Sequence, residues 1–440
     1  MSFLATIRRL ADATPPDRNK AVDALRAMSI AVVVFGHWLM AAVKIDDGEL
    51  VAGHLLEMTT WTHPLTWILQ VMPVFFVVGG FANGVSWRSA RRRGEAYGGW
   101  LRSRLRRLIL PVIPLLLVWG GGGWLGLRLG LDWELLQMAS QVALVPTWFL
   151  AAYIVIVTIA PAGLWLWERW GWWSVVGGMA AAGLADLASI GWGWVPVGFL
   201  NYLFVWGTVH QLGFAWLDGR LGGASRRLLL AALGLAATIL LVWAGPYPVA
   251  MVGLDTSQIT NSYPPRVTLA TLGLFQAGLV LAMEGPLRRW LDRPGPWRAT
   301  VAVNSQIMTI YLWHLTAMVI LLGLSLLAGG LGLGVEPLTP LWWWTRPLWY
   351  LVLAVLTVLL VLVFGRFERP RPDLRPAPPA WRPLTAVAGV CAGLGLLAAI
   401  GIADEYGLNG FILSLPVIGV LVGGVGGARL HRQAESTNVP

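Results

Sequence analysis

The sequence predicts an all-α membrane protein: a polytopic transmembrane helical bundle with a ten-helix core and two further helices near its C-terminal end. Of its 440 residues, 57% are hydrophobic and only 12% are charged, whereas soluble domains carry about 25% charged residues. Stretches of about 20 apolar residues, the length that spans a bilayer, recur along the chain. The placement of the cations is a third observation that favours this fold class.

We expect twelve spans, at 22–43, 65–86, 108–128, 147–167, 172–191, 196–216, 227–245, 266–284, 300–328, 346–365, 383–403 and 410–428. Cytoplasmic loops of membrane proteins carry an excess of Lys and Arg. If the N-terminus lies in the cytoplasm, all but four of the 32 Lys and Arg residues fall in cytoplasmic segments, the exceptions being Lys44, Arg128, Arg266 and Arg346. The pattern therefore predicts that both termini are cytoplasmic.

A Pro- and Arg-rich segment, RFERPRPDLRPAPPAWRP, separates the last two spans from the others. Its composition predicts an extended cytoplasmic connector. The two spans after it are rich in Gly and Ala, which allows close helix packing, so we expect a structural or homo-oligomer-forming pair outside the reaction centre. The expected organisation is an N-terminal cytoplasmic segment at 1–20, a ten-helix domain at 21–366, a linker at 367–383, the helix pair at 384–428 and a cytoplasmic tail at 429–440.

The first span, within DALRAMSIAVVVFGHWLM, carries two polar groups that are costly in hydrocarbon. Arg26 and His37 are eleven residues apart, which on a helix is three turns and about 16 Å along one face. Imidazole is the usual general base near neutral pH. Asp23, three residues before Arg26, is a second candidate for catalysis, although pairing with Arg26 and capping the helix explain it equally well.

A basic run precedes and enters the third span, and Arg104, Arg106 and Arg107 stand at its start. Guanidinium groups and helix N-terminal amides both favour phosphate. Together with Arg26, these side chains form a candidate cytoplasmic site for a phosphorylated ligand. The alternative is an ordinary topology signal that contacts lipid headgroups.

The ninth span carries Asn304, Tyr311 and His314, whose spacing places them close to one face of a continuous helix. Such a polar stripe must face protein or water, and a purely structural hydrogen-bonded network would also explain it. His210 and Asp186 are further embedded polar groups that line a cavity or pair within the bundle.

Several function classes are disfavoured by the sequence. The single cysteine, Cys391, forms no internal disulfide and offers no Cys-based metal site. The formal net charge of +10 follows membrane topology, so we expect no nucleic-acid partner. There is no phosphate-binding P-loop, no dinucleotide-binding glycine pattern and no His-Glu-x-x-His metal motif, and we expect no metal.

These residues resemble the acyltransferase 3 family of integral membrane acyltransferases. The match rests on the Arg-x10-His helix, the arginine-rich segment RSRLRRLILPVIP, PTWFL at Pro146–Leu150 and YLWHL at Tyr311–Leu315, in the family's order across about residues 20–366. The resemblance implies a stand-alone enzyme of the bacterial inner membrane. It would transfer an acyl group, often acetyl, from cytoplasmic acyl-CoA to a hydroxyl of a carbohydrate, lipid or natural product.

The resemblance also implies roles for individual residues. His37 and Asp23 are the expected catalytic residues, and Arg26, Arg104, Arg106 and Arg107 are expected to bind acyl-CoA. Trp148, Asn304, Tyr311 and His314 are expected to contact the acceptor, which is a carbohydrate or a lipid-linked molecule. Direct transfer with His37 as base and transfer through an acyl-histidine both remain open.

A transporter or flippase of a phosphorylated lipid or sugar is the competing hypothesis, since it also needs embedded His and Arg residues. We find no internal repeat or paired interrupted helices, features that many transporters show. Binding of a CoA ester discriminates between the two, because a flippase has no use for one.

Overall fold

The N-terminal part of the chain, up to residue 92, forms two long helices around a small hairpin. The structure, a computed structural model, describes residues 3–16, 18–46, 49–253, 259–368, 373 and 375–426. Its first elements are α1 (Phe3–Asp12), α2 (Lys20–Met40), β1 (Ala41–Asp46), β2 (Glu49–His54), α3 (Leu55–Met58), a 3₁₀-helix (Thr60–Leu65), α4 (Thr66–Leu69) and α5 (Met72–Arg92). The strands β1 and β2 are antiparallel, with Ala41 opposite His54.

The middle of the chain is a series of apolar helices with short connections. In order they are α6 (Tyr97–Ile109), α7 (Val112–Arg128), α8 (Trp133–Leu144), α9 (Pro146–Trp170), α10 (Trp172–Asp186) with a π-helical turn (Leu187–Gly191), α11 (Val195–Gly198), α12 (Asn201–Leu217) and α13 (Ala224–Ala244). PTWFL therefore opens a helix, α9, as expected from the sequence.

The last third contains two broken helices and the C-terminal pair. Its elements are α14 (Val267–Ala282), α15 (Glu284–Leu291), α16 (Pro294–Asn304), α17 (Ile307–Leu327), α18 (Pro340–Phe364), a 3₁₀-helix (Gly365–Glu368), α19 (Trp381–Ile400), β3 (Ala403–Asp404), β4 (Gly407–Leu408) and α20 (Gly410–Val422). The expected tail at 429–440 and part of the linker lie outside the described residues.

The fold class is confirmed: the chain is an all-α polytopic membrane bundle. Eight of the described helical segments are long and apolar enough to cross a membrane, or up to ten when each of two bent pairs counts as one span. The bent pairs are α6 with α7, at 45°, and α14 with α15, at 50°. Each of the twelve expected spans contains a helix, but α12 and α20, with 17 and 13 residues, are shorter than a typical span.

Close helix packing at the centre of the bundle depends on glycine. A Cβ atom at Gly80 of α5 would collide with the carbonyl oxygen of His210, and one at Gly213 of α12 would collide with the carbonyl oxygen of Val77. The two backbones therefore meet without side chains between them, as small residues permit in membrane helices. Most of α12 is buried as a result.

Two helices expected to be continuous are broken. The third span is preceded by a separate helix, α6, and Arg106 and Arg107 lie in the last turn of α6, not at a helix start. Pro111 lies at the bend, and proline lacks the N–H that a continuous helix needs. The expectation that helix N-terminal amides assist these arginines is therefore wrong. The ninth span is likewise divided, so that Asn304 ends α16 while Tyr311 and His314 belong to α17.

The C-terminal pair also differs from its expected placement outside the reaction centre. Helix α19 packs against α8 and α9 as well as α20. The Thr147 hydroxyl at the start of α9 donates to the Leu394 carbonyl oxygen, at 2.9 Å. The small side chains of α19 permit this close approach, and α19 forms part of the wall of the central cavity described below.

Candidate active site

Two histidines from different helices meet at the centre of the site. His37 Nδ1 of α2 and His314 Nε2 of α17 are 2.9 Å apart, and the two rings are stacked with an interplanar angle of 14°. His314 is completely buried, whereas His37 retains exposed surface toward a cavity. The Trp38 indole N–H, next along α2, donates to the His314 carbonyl oxygen at 3.1 Å. These contacts fix the position of α2 against α17.

The hydrogen bonds determine which ring nitrogens carry protons. His314 Nδ1 lies 2.7 Å from the Tyr311 carbonyl oxygen, and because a carbonyl oxygen only accepts, His314 Nδ1 must donate. In a neutral imidazole the other nitrogen is then an acceptor, so His314 Nε2 accepts from the Nδ1–H of His37. That arrangement leaves Nε2 of a neutral His37 unprotonated. The chain of bonds thus gives His37 the tautomer that a general base needs.

A buried hydrogen bond joins two of the sequence motifs, YLWHL, which contains His314, and PTWFL. The Tyr311 hydroxyl donates to the Pro146 carbonyl oxygen at 2.7 Å, which links YLWHL on α17 to PTWFL on α9. Tyr311 is 3% exposed and is absent from the described cavity wall. It therefore braces the helix instead of facing the space where an acceptor would bind.

A carboxylate that the sequence analysis missed holds the start of α17. Glu368 accepts hydrogen bonds from the backbone N–H groups of Met308 and Thr309, both at 2.9 Å, and from the Thr309 hydroxyl at 2.7 Å. Unpaired N–H groups at a helix N-terminus favour such an anion. Sequence could not reveal this contact, since Glu368 lies sixty residues after Met308, at the end of the 3₁₀-helix that follows α18.

The opposite end of α2 carries a charged cluster around Arg26. The Arg26 Nε–H donates to Asn304 Oδ1 at 2.7 Å, and Asn304 Nδ2 donates to the Asp23 carbonyl oxygen at 2.9 Å. Asp23 receives both its short ion-pair contacts from Arg18, at 2.6 and 2.9 Å, while Arg26 lies 3.6 Å from it. Asn304 thus connects Arg26 to the backbone of its own helix.

Asp23 is an ion-pairing residue in this geometry. It lies fourteen residues before His37 on α2, which is about 21 Å of helix rise, so it is out of hydrogen-bonding reach of the imidazole. The helix cap is Asn19, whose side chain accepts from the Ala21 N–H, and not Asp23. Both the catalytic role and the capping role expected for Asp23 therefore lack geometric support.

Arg104 approaches the same region from α6. Its guanidinium donates to Asn83 Oδ1 at 2.7 Å, and Asn83 Nδ2 lies 3.1 Å from His210 Nε2. Arg104 and Arg26 both act electrostatically on the half-buried Tyr153 side chain of α9. In the part of the chain that the structure describes, no carboxylate lies within ion-pair distance of Arg104. A half-buried guanidinium without an anion is costly, so this end of the site favours an anionic ligand.

The remaining arginines of α6 have different surroundings. Arg106 is buried and donates to the Val425 carbonyl oxygen at 3.1 Å. Arg102 pairs with Asp373 at 3.0 Å and donates to the Arg375 carbonyl oxygen at 2.7 Å. Arg107 is exposed. Arg106 therefore holds the C-terminal region and is not available to a ligand phosphate.

Asp373, the linker carboxylate that pairs with Arg102, is strongly acidic. Hydrogen bonding from the Arg375 side chain is the main cause that lowers the pKa of Asp373 to about 2. Arg375 also donates to the Gly426 carbonyl oxygen at 3.1 Å. These contacts, with Arg102 and Arg106, make up what we call the linker latch: Arg102, Arg106, Asp373 and Arg375.

A large cavity of about 1800 Å³ has His37 in its wall. Trp148 lines it as well, while Asn304 and His314 are absent from its described lining. His54, from β2, is a further lining residue that sequence reasoning did not assign. Burial lowers the pKa of His54 to about 4, and its Nδ1 accepts from the Leu56 N–H, so this side chain is neutral near pH 7.

The two other embedded polar groups belong to internal networks. Asp186 is 2% exposed and accepts hydrogen bonds from Asn201, Tyr247, Arg266 and the Val267 backbone, at 2.8 to 3.1 Å. It thereby fastens the segment before α14 to the end of α10. His210 is bound to Asn83 as described above. Within the described part of the chain, no group of three His, Cys, Asp or Glu side chains is placed to hold a metal ion.

Comparison with known proteins identifies the chain at the level of its family. Searches of curated proteins and of solved structures gave no match. The family model described as an acyltransferase domain, Acyl_transf_3, matches residues 19–366, which is most of the chain and includes α2, α6, α9 and α17. The protein therefore belongs to the acyltransferase 3 family of membrane acyltransferases.

Proposed function

We propose that this acyltransferase moves an acyl group, acetyl in the simplest case, from acyl-CoA to a hydroxyl of a carbohydrate, glycolipid or natural-product acceptor. We place the protein in a bacterial inner membrane with both termini in the cytoplasm. The observation that carries the proposal is His37, which lines the cavity and pairs with His314, three helical turns from a cluster of arginines that lacks a full set of carboxylate partners among the described residues.

In the proposed reaction His37 is the general base. Its Nε2 takes the proton of the acceptor hydroxyl while the hydroxyl oxygen attacks the thioester carbonyl carbon. The carbon–sulfur bond breaks, and His37 returns the proton to the departing CoA sulfur. Base catalysis of this kind typically contributes 10²–10⁴-fold. His314 acts through His37, because its hydrogen bond selects the productive tautomer.

The donor is proposed to lie along α2. Arg26 and Arg104 would bind the CoA phosphates, with the exposed Arg107 available nearby. The pantetheine arm would then follow the helix face over the roughly 16 Å between Arg26 and His37, as estimated from helix rise. Arg106, whose guanidinium is engaged with the C-terminal region, has no part in this arrangement.

The test uses purified protein in lipid nanodiscs with radiolabelled acetyl-CoA, following CoA release, transfer of label and acetyl-CoA binding. His37→Ala should lower kcat at least 100-fold while acetyl-CoA still binds. Arg26→Ala and Arg104→Ala should weaken acetyl-CoA binding, whereas Arg289→Ala, at an exposed position, should not. Full activity of His37→Ala would refute the role of the base. Absence of both transfer and acetyl-CoA binding would favour the transporter hypothesis.

A further inference from the structure

The wall of the cavity that contains His37 has a distinctive composition. None of its described lining residues is Asp, Glu, Lys or Arg, and most are aliphatic or aromatic. Polar side chains of the wall are engaged within the protein: the Thr316 hydroxyl accepts from the Trp119 indole N–H at 3.1 Å, and the Gln70 amide donates to the Met251 carbonyl oxygen at 3.1 Å. The charged residues of the site all lie at the other end of α2, around Arg26.

This wall extends beyond the part of the chain that matches the family. Helix α19 contributes Cys391, Gly395, Ala398 and Ala399, all of which follow residue 366, where the family match ends. These four positions share one face of the helix, and their small side chains leave room in the cavity. Helix α8 supplies part of the same wall through larger apolar residues such as Leu135 and Met138.

The size and composition of the cavity restrict what it can bind. Its volume of about 1800 Å³ exceeds the roughly 300–1,000 Å³ of pockets for ordinary small molecules. A free sugar brings many hydroxyl groups, and each one buried without a hydrogen-bond partner costs free energy. A hydrocarbon chain, by contrast, gains from every methylene that leaves water. The wall therefore favours an occupant with a long apolar part.

We propose that the acceptor is an amphiphile, whose hydroxyl lies beside His37 and whose long hydrocarbon chain occupies the apolar part of the cavity between α7, α8 and α19. The inference rests on the proposed function and narrows its acceptor class from any hydroxyl compound to a lipid-type alcohol or glycolipid. Helix α19 then sets the length of chain that fits. This assigns the C-terminal pair a part in acceptor selection.

The experiment compares glucose with methyl, octyl and dodecyl β-glucosides as acceptors for the full-length protein in nanodiscs with acetyl-CoA. We expect kcat/KM to rise with chain length by a few-fold for each added methylene that the cavity buries. Glucose and methyl glucoside should be the poorest acceptors. Equal use of glucose and dodecyl glucoside would overturn the proposal.

Two matched variants on α19 separate cavity binding from general partition into the membrane. Gly395→Leu places a side chain in open space, because a Cβ atom there meets no atom within 4 Å, and it should shift the preference toward shorter chains. Ala392→Leu makes a similar change at an exposed position that is not in the described cavity wall, and it should leave the chain-length profile unchanged. Identical profiles for both variants and the unmodified protein would also overturn the proposal.

A third measurement does not depend on turnover. A dodecyl glucoside with a photoreactive group at the end of its chain should label α8 or α19, and excess unlabelled dodecyl glucoside should suppress that labelling in the His37→Ala variant as well. Two results together would separate the proposals: acetyl-CoA binds and is hydrolysed in a reaction that needs His37, but the rate of glucoside acetylation does not rise with chain length. In that case the amphiphile proposal fails and the acyltransferase proposal stands. If acetyl-CoA neither binds nor reacts, both fail.

Discussion

Replacing His314 by Phe, which has no hydrogen-bond acceptor, tests whether this buried residue acts on the reaction only through His37. The substitution removes the acceptor nitrogen 2.9 Å from His37 Nδ1 at a completely buried position. A single hydrogen bond contributes about 0.5–1.5 kcal/mol net, which corresponds to about 2- to 13-fold in the population of the correct tautomer and ring orientation. We therefore expect kcat to fall about tenfold. KM for acetyl-CoA should change little, since the proposed phosphate site is three turns away.

Steady-state acetyl transfer in nanodiscs measures this effect, with His63→Phe as the matched control. His63 is bound to the Leu56 carbonyl oxygen at 2.8 Å and is not among the described cavity residues, so its replacement should leave kcat unchanged. The decisive comparison is the double variant. If His314 acts through His37, His37→Ala combined with His314→Phe should be no slower than His37→Ala alone. Independent, multiplicative losses would refute the reasoning, and so would a His314→Phe protein with full kcat.

Three further predictions concern the groups that hold the site in place. Glu368→Gln removes the anionic cap of α17 and should lower the free energy of unfolding by about 0.5–2 kcal/mol, the usual value of a cap; an unchanged melting temperature in detergent would contradict this. Asn304→Ala removes the hydrogen bond that positions the Arg26 guanidinium, so KM for acetyl-CoA should rise about 2- to 13-fold, the contribution of one hydrogen bond. An effect confined to kcat would contradict this role of Asn304. Arg375 lowers the pKa of Asp373 to about 2. The ionised Asp373 carboxylate therefore stabilises the folded protein above the ordinary Asp pKa of about 3.9, and this stabilisation is lost as pH falls toward 2. The difference in unfolding temperature between the unmodified protein and Asp373→Asn should thus be constant from pH 5 to 8. Thermal unfolding measured across that range tests this, and a difference that disappeared by pH 5 would refute the lowered pKa of Asp373.

Composition and residue periodicity were sufficient to predict the fold class. Membrane helices must be apolar and about 20 residues long, so their positions follow from local sequence. The alignment of Arg26 with His37 was also predictable, because it depends on the geometry of one helix. The structure retains this helix unbroken from Lys20 to Met40.

Features that depend on contacts between distant segments could not be read from the sequence. The break before α17 is stabilised by Glu368, sixty residues later, and the pairing of His37 with His314 requires two helices to dock. A polar stripe on an isolated helix predicts that partners exist without identifying them. For the same reason Asn304 was assigned to the acceptor, although its side chain is bound to Arg26.

The arginines of α6 show how helical geometry divides one basic run between two structural settings. Arg102 and Arg106 are four residues apart and Arg104 and Arg107 are three apart, so each pair shares a face of the helix. The first pair contacts the linker and the C-terminal region through the linker latch. The second pair has no carboxylate partner among the described residues, and Arg104 lies near Arg26.

This division connects the C-terminal pair to both ends of the proposed reaction. The contacts of Arg102 and Arg106 in the linker latch oppose a rotation of α6 about its axis, and such a rotation would change where Arg104 points relative to Arg26. Helix α19, which follows the linker, forms part of the apolar wall of the cavity that His37 also lines. Loosening the linker latch should therefore disturb the proposed donor site through α6 and the proposed acceptor site through α19, even though none of its residues touches either ligand in the arrangement we propose.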